Sequence, residues 1–203
     1  MASDRSFAQL VSLACHDLRT PLATVQGFAR TIDRLEQLQE QAQRYIGLIV
    51  EGSDQLTELL DRLALVARIE RGAYEPVMRE MDSLEVAHAA AARVDVGEVA
   101  VSGAGAPVAV DPGATERSIA DFLVCAIRHG NSGRIGCAVQ GNELELGPVD
   151  EEVRQILLGE DLRDFGAAAA RIHVDALGGS VASRGDVLRI ELPTSGAGTG
   201  AGP

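Results

Sequence analysis

Two interleaved seven-residue series near the start of the chain limit what it can fold into more than any other feature. Phe7, Ala14, Pro21, Phe28 and Leu35 form one series, and Val11, Leu18, Val25 and Ile32 form the other. Apolar residues recurring with this period trace the d and a seam of a coiled-coil or bundle helix. His16 falls at position f, opposite the seam. A histidine that filled a core would occupy a or d, so this one is offered to solvent and to a docking partner. Pro21 lies in the same pattern. There it removes the hydrogen bond to the Asp17 carbonyl and bends the axis beside His16, at a cost of about 3 kcal/mol or more.

The first helix is expected from about Ser6 to Leu38, followed by a polar turn rich in Gln and Glu and a second helix from about Gln41 to Arg71. The second apolar set, Tyr45, Ile46, Ile49, Leu56, Leu59, Leu60, Leu63, Val66 and Ala67, again falls on one face. A hairpin with one apolar face per helix is stabilised by pairing two copies into a four-helix bundle, so a homodimer is expected. Gly72 is the expected helix stop.

From Glu75 the texture changes to short alternating elements. Extended segments are expected at Pro76–Glu80, Glu98–Ser102 and Val108–Val110, with an alanine-rich helix at Ser83–Arg93. Asp111-Pro112-Gly113 leads into a helix over about Ala114–His129, then strands at Arg134–Gln140 and Glu143–Leu146. Helices near Asp150–Leu158 and over Phe165–Leu177 follow, and after Gly178-Gly179 a hairpin of Ser180–Arg184 and Val187–Leu192. The fold class is α+β: a dimerising helical hairpin over residues 1–74, then an α/β sandwich of one mixed sheet under a helical layer over 75–194. Residues 195–203 belong to a Gly-Ala tail that cannot bury a core and is expected to be flexible.

Composition narrows the function. The formal net charge of −12 comes with no basic run, which argues against nucleic acid as a partner. All eighteen basic residues are Arg, and without lysine there is neither a P-loop lysine nor a Schiff-base lysine. The apolar runs are far shorter than the roughly 20 residues that span a bilayer, and no charged-then-apolar signal segment opens the chain. No membrane contact and a cytoplasmic location are expected. Cys15, Cys125 and Cys137 lack metal-ligand spacing and read as free thiols.

Around the histidine the chain reads Cys15-His16-Asp17-Leu18-Arg19-Thr20-Pro21-Leu22. This stretch resembles the H-box of bacterial two-component sensor histidine kinases, a phosphoacceptor His followed by an acidic residue, Leu, Arg, Thr, Pro and Leu. Every position from His16 to Leu22 is filled. Arg68-Ile69-Glu70-Arg71-Gly72 likewise resembles the segment that closes the second helix of the family's dimerisation and phosphoacceptor (HisKA) domain. The later order of elements, with the Asp111-Pro112 turn, the segment Phe122 to His129 and the final helix-Gly-Gly-hairpin, is similar to the family's ATP-binding catalytic domain.

That resemblance is to the scaffold, and the nucleotide motifs depart from it one by one. Where the family has a magnesium-holding Asn, this chain has Cys125, and a thiol is a poor ligand for a hard cation. The nearby Asn131 reads as a loop-turn residue. In place of the Asp-x-Gly-x-Gly box, whose Asp reads the adenine amino group, stands Leu144-Glu145-Leu146-Gly147-Pro148-Val149-Asp150, with Asp150 better explained as a helix N-cap. Of the last phosphate-binding box only Gly166 survives, in Asp164-Phe165-Gly166-Ala167. A carboxylate at Asp164 would cap the free N–H groups of the helix start and repel a triphosphate. Glu151 to Arg163 leaves little room for the family's flexible lid. A degenerate ATP site at Cys125, Gly147, Asp164 and Gly166 is therefore expected, with no cofactor; ATP and magnesium belong to the alternative in which the chain is a working kinase.

The chemistry then rests on His16, a neutral nucleophile near pH 7 that attacks a phosphoryl group and later surrenders it to a carboxylate. Asp17 accepts a proton or orients the ring, or is a surface charge. Arg19 pairs with phosphoryl oxygens or with a neighbouring acid. Thr20 lies one turn beyond His16 on the same face; the resemblance implies that it places water for phosphate removal, and the other reading is a back-bond within the helix. His88, His129 and His173 have no partner at ligand or relay spacing and read as structural. These readings converge on a dimeric histidine phosphotransferase working with response-regulator receiver domains. The alternatives are a divergent sensor histidine kinase, a receiver phosphatase using Asp17 and Thr20, and a docking scaffold without chemistry.

Overall fold

Small residues line the inside of a helical hairpin, and large ones its outside. The computed structural model describes residues 2–34 and 40–194 and divides into two units, Met1–Tyr74 and Glu75–Pro203. The end of the expected first helix, the Gln- and Glu-rich turn and the tail at 195–203 lie outside the described residues. In the first unit, α1 (Ala2–Asp33) and α2 (Glu40–Glu70) run antiparallel, and α1 continues through Pro21. Arg19 pairs with Asp61 at 2.7 Å and Arg30 with Asp54 at 2.8 Å, and Gln26 also donates to Asp54. In that register Cys15 lies level with Ala64 and Ala67, and Ala29 with Ser53, all of them buried. Ser53 satisfies its hydroxyl by donating to the Ile49 carbonyl at 2.7 Å.

The buried line of α1, through Ala8, Cys15 and Ala29, is thus one position beyond the d series. The a and d residues Leu18, Val25, Phe28 and Ile32 remain exposed within the chain, as do Tyr45, Leu48, Ile49, Leu56 and Leu59 on α2. Helices pack closely where side chains are short, so the bulky seam is left facing outward. At the end of α2, Gly72 takes φ 68°, the Gly72 N–H reaches the Ile69 carbonyl and the Ala73 N–H the Arg68 carbonyl, both at 2.9 Å. This is the paired closure that a left-handed glycine permits.

The second unit contains β1 (Arg79–Asp82), α3 (Ser83–Ala91), β2 (Glu98–Gly105), β3 (Pro107–Val110), α4 (Pro112–His129), β4 (Arg134–Gly141), β5 (Glu143–Gly147), α5 (Glu151–Leu157), α6 (Phe165–Ala176), β6 (Ser180–Arg184) and β7 (Val187–Glu191). Aspartates start three of its helices: Asp82, Asp150 and Asp164 each accept backbone N–H groups of the first turn. A mixed five-stranded sheet runs β2-β4-β5-β7-β6, parallel at β2 and β4 and antiparallel elsewhere. The expectation of a single sheet needs correction, because β1 and β3 form a separate antiparallel pair. The chain leaves the larger sheet at Gly105, where Ser83 grips the link between β2 and β3. Its backbone N–H donates to the Ala106 carbonyl at 3.1 Å and its hydroxyl accepts from the Ala106 N–H at 3.1 Å, which turns β3 onto β1.

One face of the sheet carries Cys137, Val139, Leu144, Leu146, Leu188 and Ile190 into a core shared with Ile119, Phe122 and Leu123 of α4 and with residues of α3, α5 and α6. His173 on α6 is sealed in the second unit, its Nδ1 2.8 Å from the Ser118 hydroxyl. Burial pushes its pKa down from 6.5 to about 4, opposed by Asp111 and reinforced by Arg117. The unfolded chain therefore takes up this proton first as acid is added. The stability it confers is complete above about pH 6.5 and is lost as the pH falls toward about 4. At roughly 1.4 kcal/mol per unit, urea unfolding should show about 2 kcal/mol lost between pH 7 and 5 that His173→Gln does not lose.

Candidate functional site

The His16 side chain projects from α1 with 78% of its surface exposed, and that of Asp17 with 70%. Their contact joins His16 Nδ1 to Asp17 Oδ1 at 3.2 Å. A carboxylate there favours the tautomer with hydrogen on Nδ1, which leaves the Nε2 lone pair for chemistry. Thr20, a turn further on, is exposed, and among the described residues its hydroxyl makes no internal hydrogen bond. Its carbonyl accepts from the Thr24 hydroxyl at 3.1 Å. Arg19 is engaged with Asp61 of α2 and braces the hairpin. Cys15, adjacent to His16, is buried, and burial raises its thiol pKa against the pull of Arg19. A buried thiol of this kind is a poor nucleophile, so the reactive group of this stretch is the imidazole.

In the second unit, Cys125 is fully buried on α4, its thiol pushed up to about 12 by burial and by Asp164 and Asp121, with Arg128 opposing. Asp164 caps α6, its Oδ1 accepting from the Ala167 N–H at 2.9 Å. Its Oδ2 lies 3.4 Å from His129 Nε2. The reading of His129 as partnerless is therefore corrected: its partner comes from a distant part of the chain. The spacing of Cys125 and His129, four residues apart on one helix, was the available signal. His88 is exposed on α3.

A Cβ on Gly166 would stand 3.2 Å from Asp164 Oδ1 and 3.4 Å from Asp121 Cγ, so carboxylates crowd the start of α6. On Gly147, at the end of β5, a Cβ would meet Val187 Cγ1 at 2.7 Å, which makes this glycine a packing requirement of β7. Asp150 caps α5 through the Val153 N–H at 2.9 Å and accepts from Asn131 at 3.3 Å. A protonated thiol where a magnesium ligand would stand, and a carboxylate over the phosphate-binding donors, do not fit a magnesium triphosphate. No helix among the described residues is long and apolar enough to cross a membrane.

Residues 8–72 match the His Kinase A (phospho-acceptor) domain. Among curated proteins, the chain is 30% identical over 95 residues to a probable sensor histidine kinase, TcrY, of Mycobacterium tuberculosis, covering 44% of this chain and 20% of that protein. It is 26% identical to the sensor protein KdpD of Mycobacterium tuberculosis across 89% of this chain and 24% of that protein. The chain thus spans about a fifth to a quarter of the length of these relatives. A solved structure of full-length ShkA in complex with AMPPNP shares the fold, with a TM-score of 0.63 and 22% identity over 91% of this chain and 45% of that one. The chain thus carries a His Kinase A (phospho-acceptor) domain around His16, shares the fold of ShkA, and is similar in sequence to sensor histidine kinases.

Proposed function

We propose that the protein is a histidine phosphotransferase of a two-component phosphorelay, carrying a phosphoryl group on His16 to or from the aspartate of a response-regulator receiver domain. The observation that carries this reading is the exposed imidazole whose Nδ1 faces Asp17. The Nε2 lone pair attacks the phosphorus of a receiver aspartyl phosphate; the N–P bond forms as the carboxylate O–P bond breaks, and the aspartate leaves as its anion. The Nδ1–H stays on the ring, and the Asp17 carboxylate stabilises the positive charge that develops there. The reverse sequence returns the group. The test is transfer of labelled phosphate from a phosphorylated receiver to the full chain; a chain that stays unlabelled overturns the proposal.

The exposed apolar seam supports the homodimer, since two copies would cover Leu18, Val25 and Phe28 together with Leu56 and Leu59 of α2. Val25→Glu with Leu56→Glu is expected to yield monomers by light scattering. Each lost burial is worth about 1.5–3 kcal/mol, so the dissociation constant should rise on the order of a hundredfold or more.

A second reading, a divergent kinase, is favoured by the fold shared with ShkA, whose structure holds AMPPNP. Calorimetry separates the two. A phosphotransferase gives no binding heat with millimolar ATP and magnesium, whereas a kinase gives saturable binding and labels His16 from ATP. Loss of phosphate from a phosphorylated receiver that depends on Asp17 and Thr20 would instead indicate a phosphatase, and receiver binding without any transfer a scaffold.

A further inference from the structure

We propose that Cys125, His129 and Asp164 form a binding site for a divalent transition metal of the zinc type, with solvent completing the coordination. One atom from each, the thiol sulfur, an imidazole nitrogen and a carboxylate oxygen, lie within 4.8 Å of one another. Cys125 and His129 are one turn apart on α4, and Asp164 faces them from the start of α6. His129 Nε2 and Asp164 Oδ2 are 3.4 Å apart. Two ligands at roughly 2.0–2.1 Å from a tetrahedral ion stand about 3.3–3.4 Å from each other, so this edge of the polyhedron is already set. The α6 cap holds Asp164 through Oδ1, which leaves Oδ2 as the oxygen presented to the ion.

The donor set selects the metal. Sulfur, imidazole nitrogen and one carboxylate oxygen suit zinc and its neighbours, whereas magnesium and calcium require oxygen. The surrounding charge also favours a cation, since Asp121 lies one turn before Cys125 on α4, against the positive charge of Arg128. Binding forms a metal–sulfur bond and breaks the S–H bond, with the proton passing to solvent. Cys125 is fully buried, while the His129 side chain is 31% exposed and provides the way in. The bound ion would tie the C-terminal half of α4 to the N-terminus of α6. This site does not depend on the phosphotransfer reading, since it uses none of the residues around His16.

Cobalt(II) titrated into the full, reduced chain is the probe. The expected result is one ion per chain, a thiolate-to-cobalt absorption band, and displacement of that band by zinc. Cys125→Ser should abolish the band, and His129→Ala should weaken binding at least about tenfold. Asp164→Asn should also weaken it while keeping the α6 cap, because Asn serves as well in that position. His88→Ala, on an exposed residue of α3, should bind as the unaltered chain does. His129 is partly exposed, so its variant is expected to fold even where the serine variant does not. Absence of the band, its survival in Cys125→Ser, or unchanged affinity in His129→Ala overturns the proposal.

Discussion

His16→Ala is expected to take up phosphate from a phosphorylated receiver at a rate lower by on the order of 10³-fold or more, because it removes the imidazole that bonds phosphorus in the proposed transfer. The substitution should leave the fold intact. His16 is exposed on the outer face of α1, and Ala is the better helix former. Circular dichroism and light scattering should therefore match those of the unaltered chain while the label is lost. Transfer that persists in His16→Ala would mean that phosphate is carried elsewhere, and the assignment would fall. Asp17→Asn keeps an acceptor for Nδ1–H but drops the charge beside the ring. An intermediate loss there would point to charge stabilisation, and no loss to a surface charge.

The largest expected stability effect lies in the second unit. Phe122 on α4 is fully buried and packs into the core beneath α3, α5 and α6. Phe122→Ala should cost about 3–5 kcal/mol, from the lost burial of the ring and the cavity left behind. Urea unfolding followed by circular dichroism measures it. A shift below about 1 kcal/mol would mean that the neighbouring helices collapse into the gap, and that the core is softer than its burial implies.

Much of this architecture was legible because its signals are local. Asp150 and Asp164 announce helix starts within a few residues, and Gly72 announces a helix end. The features that escaped depend on distant parts of the chain. Ser83 reaches Ala106 and so splits the expected single sheet, and Asp164 reaches His129 from the start of another helix. Periodicity located the apolar seam of α1 but not which surface would meet it. The inner line of the hairpin is written in Ala8, Cys15 and Ala29, residues too small to stand out in a hydrophobic pattern. At His16 the motif and the exposure of the ring agree, whereas the contact with Asp17 needed coordinates.

The division of labour in the hairpin bears on how such a protein could diverge after duplication. Its intrachain register is fixed by alanines, a serine and ion pairs such as Arg19–Asp61, so exchanges among Val25, Phe28 and Leu56 would alter the choice of mate while sparing each chain's own folding. Two sister proteins in one cell could become insulated from mixed assembly by a handful of outward substitutions, each tolerated as it arose.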